Sequence, residues 1–314
     1  MLHFKCELAK DTTIKDGFEE FLKYKQDEGI SAASIKTYKT FYKYLLIFCN
    51  ENKPIHFFNN NFFKEIQEDI KKLPKNFIMT RHKPTDGEYE KLSGKYINSM
   101  FSFYKNLWNF FNYKNYTIEK PVEYLVLKTK TTNILPFDTL ELQVLIRENT
   151  AYDSDIVDYI KIGLYTGMRI SEIIELKKDN IDLKENLINI TKSKTKSGIR
   201  IIPIHKNIKE IINKRYEETN TDYLFSEDGN INKYTKRISK GIRKFIKEPS
   251  KSFHSTRKNF TQKLYEYQQQ DLIQENTIMR LLGHSNNKNL SFSVYNLNKI
   301  DLDILRKSID LIEY

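Results

Sequence analysis

The chain has 314 residues, enough for two domains that each bury a hydrophobic core. Its 52 Lys and Arg residues outnumber its 41 Asp and Glu residues, and the formal net charge of +11 predicts a polyanionic partner, either nucleic acid or an anionic membrane surface. No run of about eighteen uncharged apolar residues occurs, and the N-terminus lacks an apolar run followed by a small-residue cleavage site, so we expect a soluble cytoplasmic protein. The two cysteines, Cys6 and Cys49, are too few for a disulfide framework or a zinc site of clustered thiolates.

Residues 12–116 carry aromatic and aliphatic side chains at helical spacing and show few strand signals. Gly29 is placed to end a first helix, and the Ser31 hydroxyl is placed to cap the free amides of a second. The predicted helices cover residues 13–28, 31–46, 61–73 and 88–111.

The next segment, residues 117–136, has Pro121 and Pro136 near its ends and lysines and threonines between them. Such a composition favours an extended connector over a helix. We therefore predict a helical domain over residues 1–116 and a second domain over residues 137–314.

The second domain is also helical in pattern, except for two β-branched runs near its middle. Residues 187–191 and 199–204 predict a hairpin joined by KSKTKSG, and Pro203 indicates an edge strand. The predicted fold class is mainly α with a small β-hairpin or sheet (α+β). Helices are predicted at residues 138–147, 155–165 and 171–178 and from residue 206 onwards, the last one at 301–313.

Two pairs of residues in this domain are spaced as a phosphate site requires. Arg169 comes just after Gly167, which permits a sharp turn between helices, and Glu172 would share its helical face. His254 and Arg257 also stand three residues apart, at a predicted helix start. Two guanidinium groups suit bidentate contacts with one phosphate, whereas each residue taken alone also fits a solvated or packing role.

A histidine and a tyrosine follow further along the chain. His284 stands in LLGHS, where Gly283 can end a helix and present the imidazole at the turn. Tyr295 is the first tyrosine after it. A phenol has an unperturbed pKa of about 10, so it becomes a nucleophile at neutral pH only where cations and a base favour the phenolate.

The loop of the predicted hairpin contains three lysines, Lys192, Lys194 and Lys196. Alternating residues of a strand point to the same face, so periodicity does not separate the three. In so basic a chain, contact with phosphates is the expected role of the lysines that take no part in chemistry.

Taken together and in this order, TGMRISEI, LINITKSKTKSGIRIIPI, HSTR, LLGHS and the downstream tyrosine resemble the catalytic domain of the tyrosine recombinases. This is the family of lambda-type phage integrases and Xer-type resolvases. The helical N-terminal half resembles the core-binding domain of the family, which clamps the opposite face of the DNA.

The resemblance implies that Tyr295 is the nucleophile, which attacks a scissile DNA phosphate, becomes linked to its 3′ end and releases a 5′-hydroxyl. Arg169 and Arg257 would hold the non-bridging oxygens and stabilise the transition state, and His284 would add a hydrogen bond. The interval between His284 and Tyr295 is longer than is usual in the family.

The resemblance also implies roles for the remaining candidates. His254 would accept the tyrosine proton in cleavage and return it in the reverse step. Glu172 would orient the arginine or the histidine. Lys194, with Lys196 as the second choice, would protonate the leaving 5′-oxygen.

The function implied is a site-specific recombinase that needs no metal, nucleotide or other cofactor. Its partners would be double-stranded DNA and three further copies of the chain, assembled as a tetramer on two sites through a Holliday junction, with accessory DNA-bending proteins as further candidates. Helix 301–313 would pack into a neighbouring protomer or onto its own domain. We expect the integrase or excisionase of a mobile element, in a bacterial, phage or plasmid context; the alternatives are a Xer-type dimer resolvase, an inversion switch, a catalytically silent DNA-binding regulator and a type IB topoisomerase.

Overall fold

The protein was analysed as a computed structural model that describes residues 12–75, 77–80, 89–129, 133–147, 154–193, 196–284 and 302–314. The chain divides into two compact units, Met1–Thr131 and Thr132–Tyr314. The division falls inside segment 117–136, which the sequence predicted as a connector. Val122 and Leu125 of that segment are buried in the core of the first unit.

Side-chain caps begin the long helices of the first unit. The side chains of Thr13, Ser31, Asn59 and Ser93 each accept a hydrogen bond from a backbone amide three residues further on. Because Ser93 supplies that cap, the last long helix begins at Gly94, later than predicted. The helices are α1 (Ile14–Asp27), α2 (Ala32–Leu45), α3 (Asn60–Ile70), the short α4 (Phe77–Thr80) and α5 (Gly94–Tyr113).

The core of this unit is built largely from aromatic rings. Trp108 and Phe63 are almost fully buried, and their ring centroids lie 4.8 Å apart in an edge-to-face arrangement. Phe58 packs edge-on against Trp108 as well. The aromatic periodicity of the N-terminal sequence therefore serves core packing.

The second unit combines eight helices among its described residues with one antiparallel sheet of order β1-β2-β3. The strands are β1 (Ile181–Asp182), β2 (Leu187–Ile190) and β3 (Arg200–Pro203), and Ile190 pairs with Arg200. The helices are α6 (Thr139–Ile146), α7 (Ser154–Thr166), α8 (Ile170–Ile174), α9 (Lys206–Glu218), α10 (Ile231–Phe245), α11 (His254–Gln269), α12 (Glu275–Leu282) and α13 (Leu302–Asp310).

The predicted fold class, mainly α with a small sheet, is confirmed, with three local corrections in the second unit. The hairpin gains a third strand, β1, which is only two residues long and too short to show a pattern. The helix predicted over residues 171–178 ends at Ile174, because Leu176 leaves the helix to bond the Leu224 amide and lies in the core. The last helix spans Leu302–Asp310, whereas 301–313 was predicted, and residue 301 lies outside the described ranges.

Helices α7 and α11 pack closely because Gly163 of α7 has no side chain at their contact. A Cβ on Gly163 would lie 2.5 Å from Thr256 Oγ1 and 2.8 Å from Phe253 Cζ. This contact brings the end of α7 beside the first turn of α11, where the predicted site residues stand. Across the described ranges, no helix has both the length and the apolar character needed to span a membrane.

Candidate active site

A glycine turn presents Arg169 at the end of α7. Gly167 has φ +61, and a Cβ there would lie 2.4 Å from Cδ1 of Phe260. Both the backbone angle and the lack of space therefore require glycine. The turn lets Arg169 cap α8 in an extended conformation.

Arg169 and Glu172 form the pair that their spacing predicted. The Arg169 amide donates to Oε2 of Glu172 over 2.9 Å, and Nη1 donates to Oε1 over 2.7 Å. The Glu172 side chain is 8% exposed, whereas that of Arg169 is 40% exposed. Within the described ranges, the remaining guanidinium N–H groups of Arg169 have no hydrogen-bond partner and are available to an anion.

Arg257 lies in the first turn of α11 and is 5% exposed. Nη1 donates to the Gly167 carbonyl at the end of α7, and Nη2 donates to the Leu282 carbonyl at the end of α12. Burial, together with the charges of Arg169 and Arg200, lowers the pKa of Arg257 to about 10. The guanidinium therefore joins the two chain segments that present the other candidates.

His284 follows the glycine cap of α12. Gly283 adopts φ +63, and the His284 amide bonds the Met279 carbonyl, which closes the helix end. The imidazole Nε2 lies 3.2 Å from Nη2 of Arg257. Burial and the charges of Arg257 and Arg169 lower the pKa of His284, so the neutral ring is favoured.

His254 is the first residue of α11 and is exposed. Burial of part of its ring lowers its pKa, and the charges of Arg257, Lys258 and Arg169 lower it further. The positive charges of Arg169, Arg257 and Lys258 therefore act on both His254 and His284. A neutral imidazole here is able to accept a proton.

The remaining candidates are Tyr295 and the three lysines that follow β2. Tyr295 and Lys194 lie outside the described residues. Lys196 begins a short 3₁₀ turn, Lys196–Gly198, but its side chain is outside the description. Lys192 is exposed just after β2. The structure thus brings together Arg169, Glu172, Arg257, His254 and His284, and the other roles stay predictions.

Arg200 belongs to this group and was missed by sequence reasoning. It begins β3, and Nη2 donates to Oε2 of Glu172 over 2.8 Å. The signal was present in the alternation of β3, because Arg200 shares a strand face with the buried Ile202. A core-facing arginine requires a buried acceptor, and Glu172 supplies it.

Three arginines and one carboxylate make this a site of positive potential. Burial opposes ionisation of Glu172, but the hydrogen bonds and charges of Arg200 and then Arg169 outweigh it and lower its pKa to about 2. The cluster is therefore charged +2 when both histidines are neutral, which suits a phosphate diester. Among the described residues, no group of three His, Cys, Asp or Glu side chains is arranged to hold a metal ion.

Comparison with known proteins shows the family of the chain. The sequence profile of the phage integrase family matches residues 139–299, half of the chain, and the matched range contains every candidate from Arg169 to Tyr295. The chain belongs to the phage integrase family. The predicted membership of the tyrosine recombinases is thereby confirmed, although no curated protein sequence matches the chain.

Solved integrase structures share the fold. The Tn1549 transposon integrase in complex with transposon right end DNA has 16% identity and a TM-score of 0.67, over 95% of this chain and 99% of that one. A lambda integrase dimer bound to a COC′ core site has 14% identity and a TM-score of 0.66, over 88% and 97%. A lambda integrase tetramer bound to a Holliday junction has 14% identity and a TM-score of 0.63, over 93% and 81%.

Proposed function

We propose that the protein is a site-specific DNA recombinase that cleaves and rejoins strands through a 3′-phosphotyrosine intermediate. The observation that carries this proposal is the cluster of Arg169, Glu172 and Arg257 with His284, in a domain of the phage integrase family. Such preorganised positive charge stabilises the extra negative charge of a pentavalent phosphorus transition state.

In the proposed reaction, the Tyr295 oxygen forms a bond to phosphorus and the bond from phosphorus to the 5′-oxygen breaks. His254, whose pKa is lowered, accepts the phenolic proton. Lys194, or Lys196 in its place, gives a proton to the departing 5′-oxygen. A 5′-hydroxyl of another strand reverses these steps, and the phosphotyrosine conserves the bond energy without a cofactor.

We further propose that the protein integrates or excises a mobile element. The Tn1549 integrase was solved on transposon end DNA and the lambda enzyme on a core site and as a tetramer on a Holliday junction, which supports double-stranded DNA and tetramer assembly as the proposal for this chain. The proposed assembly acts in the cytoplasm. Helix α13 packs onto its own domain, whose core buries Leu305 and Ile309.

The test is covalent trapping with a supercoiled plasmid that carries the DNA flanking the gene of this protein. After denaturation, the wild-type protein should remain attached to DNA, and Tyr295→Phe should abolish the adduct while retaining DNA binding. Tyr265→Phe, which removes an exposed hydroxyl from α11, is the matched control and should form the adduct normally. An adduct that persists in Tyr295→Phe would contradict the assigned nucleophile.

Product analysis separates the alternatives. Relaxation of any plasmid, with no site requirement, would indicate a type IB topoisomerase. DNA binding without an adduct on any substrate would indicate a catalytically silent regulator.

A further inference from the structure

Arg200 is a buried arginine beside the candidate site, and its guanidinium is bonded within the protein. Its side chain is 1% exposed. Nη2 and Nη1 donate to the two oxygens of Glu172 over 2.8 and 3.2 Å, Nη1 also donates to the Gly198 carbonyl over 3.0 Å, and Nε donates to the Leu281 carbonyl over 3.0 Å. Four of its five N–H donors are therefore used inside the protein.

These acceptors lie in three separate segments that carry predicted site residues. Glu172 holds Arg169, and Gly198 closes the loop that contains Lys194 and Lys196. Leu281 lies in the last turn of α12, next to the carbonyl that Arg257 bonds. A single buried guanidinium thus connects Gly198 with the segment that carries Arg169 and with the end of α12, to which Arg257 is also bonded.

Arg200 limits the hydrogen bonds that Glu172 can form with Arg169. Oε1 accepts from Nη1 of Arg169 and Nη1 of Arg200, while Oε2 accepts from the Arg169 amide and Nη2 of Arg200. A carboxylate has about four acceptor positions, so this one is saturated. It cannot rotate to take a second N–H from the Arg169 guanidinium, which remains free to bind an anion.

The space around Arg200 is closed on the side of α12. A Cβ on Gly283 would lie 3.1 Å from Cδ of Arg200 and 3.1 Å from the Gly198 Cα. Gly283, the residue before His284, therefore packs against both Arg200 and Gly198.

We propose that Arg200 is a positioning residue that fixes the direction of Arg169 by saturating Glu172. It touches no substrate in this role. The inference rests on the proposed function, because the anion that Arg169 meets is taken to be a DNA phosphate. Stability alone does not account for the arrangement, since buried ion pairs are often no more stabilising than apolar residues of similar volume.

The test measures anion binding by the free protein, which does not require strand cleavage. Inorganic phosphate is titrated while the imidazole NMR signals of His254 and His284 are followed. We expect Arg200→Gln to weaken phosphate binding on the order of ten-fold, because the ordered fork is lost, and Arg200→Lys to fall between Arg200→Gln and the wild type.

Measuring Arg200→Gln in the Arg169→Lys variant separates a positioning role of Arg200 from a general role in the stability of the fold. Arg169→Lys lacks the guanidinium fork of Arg169. Adding Arg200→Gln to this variant should therefore weaken phosphate binding by less than a further factor of about two. An equal effect of Arg200→Gln in both backgrounds, or phosphate binding unchanged by Arg200→Gln, would overturn the inference. If Arg200→Gln fails to fold, Arg200→Lys and the uncharged double variant Glu172→Gln/Arg200→Gln carry the same comparison.

Arg243 provides a matched control. Like Arg200 it donates to backbone carbonyls, here those of Ile246, Glu248, Pro249 and Lys251, and none of these four acceptors belongs to the candidate site. Arg243→Gln should lower the thermal midpoint and leave phosphate binding unchanged. Loss of phosphate binding in Arg243→Gln would also overturn the inference. Absence of a Tyr295-dependent DNA adduct would instead contradict the proposed function and leave the phosphate result standing.

Discussion

Nη2 of Arg257 lies 3.2 Å from Nε2 of His284. Arginine has only donors, so Nε2 accepts this hydrogen bond and the ring proton of neutral His284 resides on Nδ1. The same Nη2 also donates to the Leu282 carbonyl, two residues before the histidine. The arginine therefore fixes both the end of α12 and the tautomer of the ring that follows it.

This relationship predicts how the two histidines titrate. Burial and the neighbouring positive charges lower the pKa of His254 and His284, so both should titrate below the ordinary value of about 6.5 and be neutral at pH 7. Lys258 contributes to the lowering at both rings, and Lys258→Gln should therefore raise both midpoints. Imidazole NMR of the free protein provides the measurement. A midpoint for His284 above 6.5 would contradict the lowering of its pKa by burial and by the neighbouring positive charges.

The two arginines should respond differently to replacement by lysine. An ammonium cannot reproduce a bidentate fork, so each change should slow adduct formation by about 10² to 10³ at saturating protein. Arg169→Lys alters a side chain that is 40% exposed and should leave the thermal midpoint nearly unchanged. Arg257→Lys also removes bonds to the Gly167 and Leu282 carbonyls and should lower it. Equal thermal midpoints for the two variants would contradict the observed burial.

Glu172 should contribute a pH-dependent part of the stability. Its folded pKa of about 2 lies below the unfolded value of about 4.3, a difference worth about 3 kcal/mol. Because the folded pKa is the lower one, this contribution is fully present above pH 4.3 and is lost as the pH falls towards 2. We expect the difference in thermal midpoint between the wild type and Glu172→Gln to shrink over this range. A difference that is constant between pH 7 and pH 2.5 would show that the carboxylate is not held in its ionised form.

The turn before Arg169 should not tolerate a side chain. Gly167→Ala combines a positive φ with a Cβ 2.4 Å from the Phe260 ring, and we expect a loss of about 3 kcal/mol or more. Gly29→Ala is the control, because Gly29 has φ +75 but nothing within 4 Å, and it should cost only about 1 to 2 kcal/mol. Hydrogen exchange, read separately in the two units, measures both losses. A loss at Gly167 no larger than that at Gly29 would mean that the Phe260 ring moves aside freely.

Much of the fold followed from local patterns. The cap at Ser31 and the β-branched runs of β2 and β3 act within a few residues, and the structure forms these elements where they were predicted. The helix expected to continue to residue 178 stops at Ile174 for a reason outside its own sequence. Leu176 is bonded to Leu224, far along the chain, and this contact overrides the helical tendency.

Short-range spacing along the chain predicted the local parts of the site. Gly167, Arg169 and Glu172 lie within a span of six residues, and His284 is the residue after the glycine that ends α12. Spacing alone therefore predicted their local geometry. Arg200 joins them through contacts between distant segments that form only when the chain folds. Its acceptors at Glu172 and Leu281 are 28 and 81 residues away, and no periodicity of a chain extends over such distances. A buried guanidinium needs acceptors from whichever segments the fold brings near it, so its partners became visible only when β3, α8 and the end of α12 were in place.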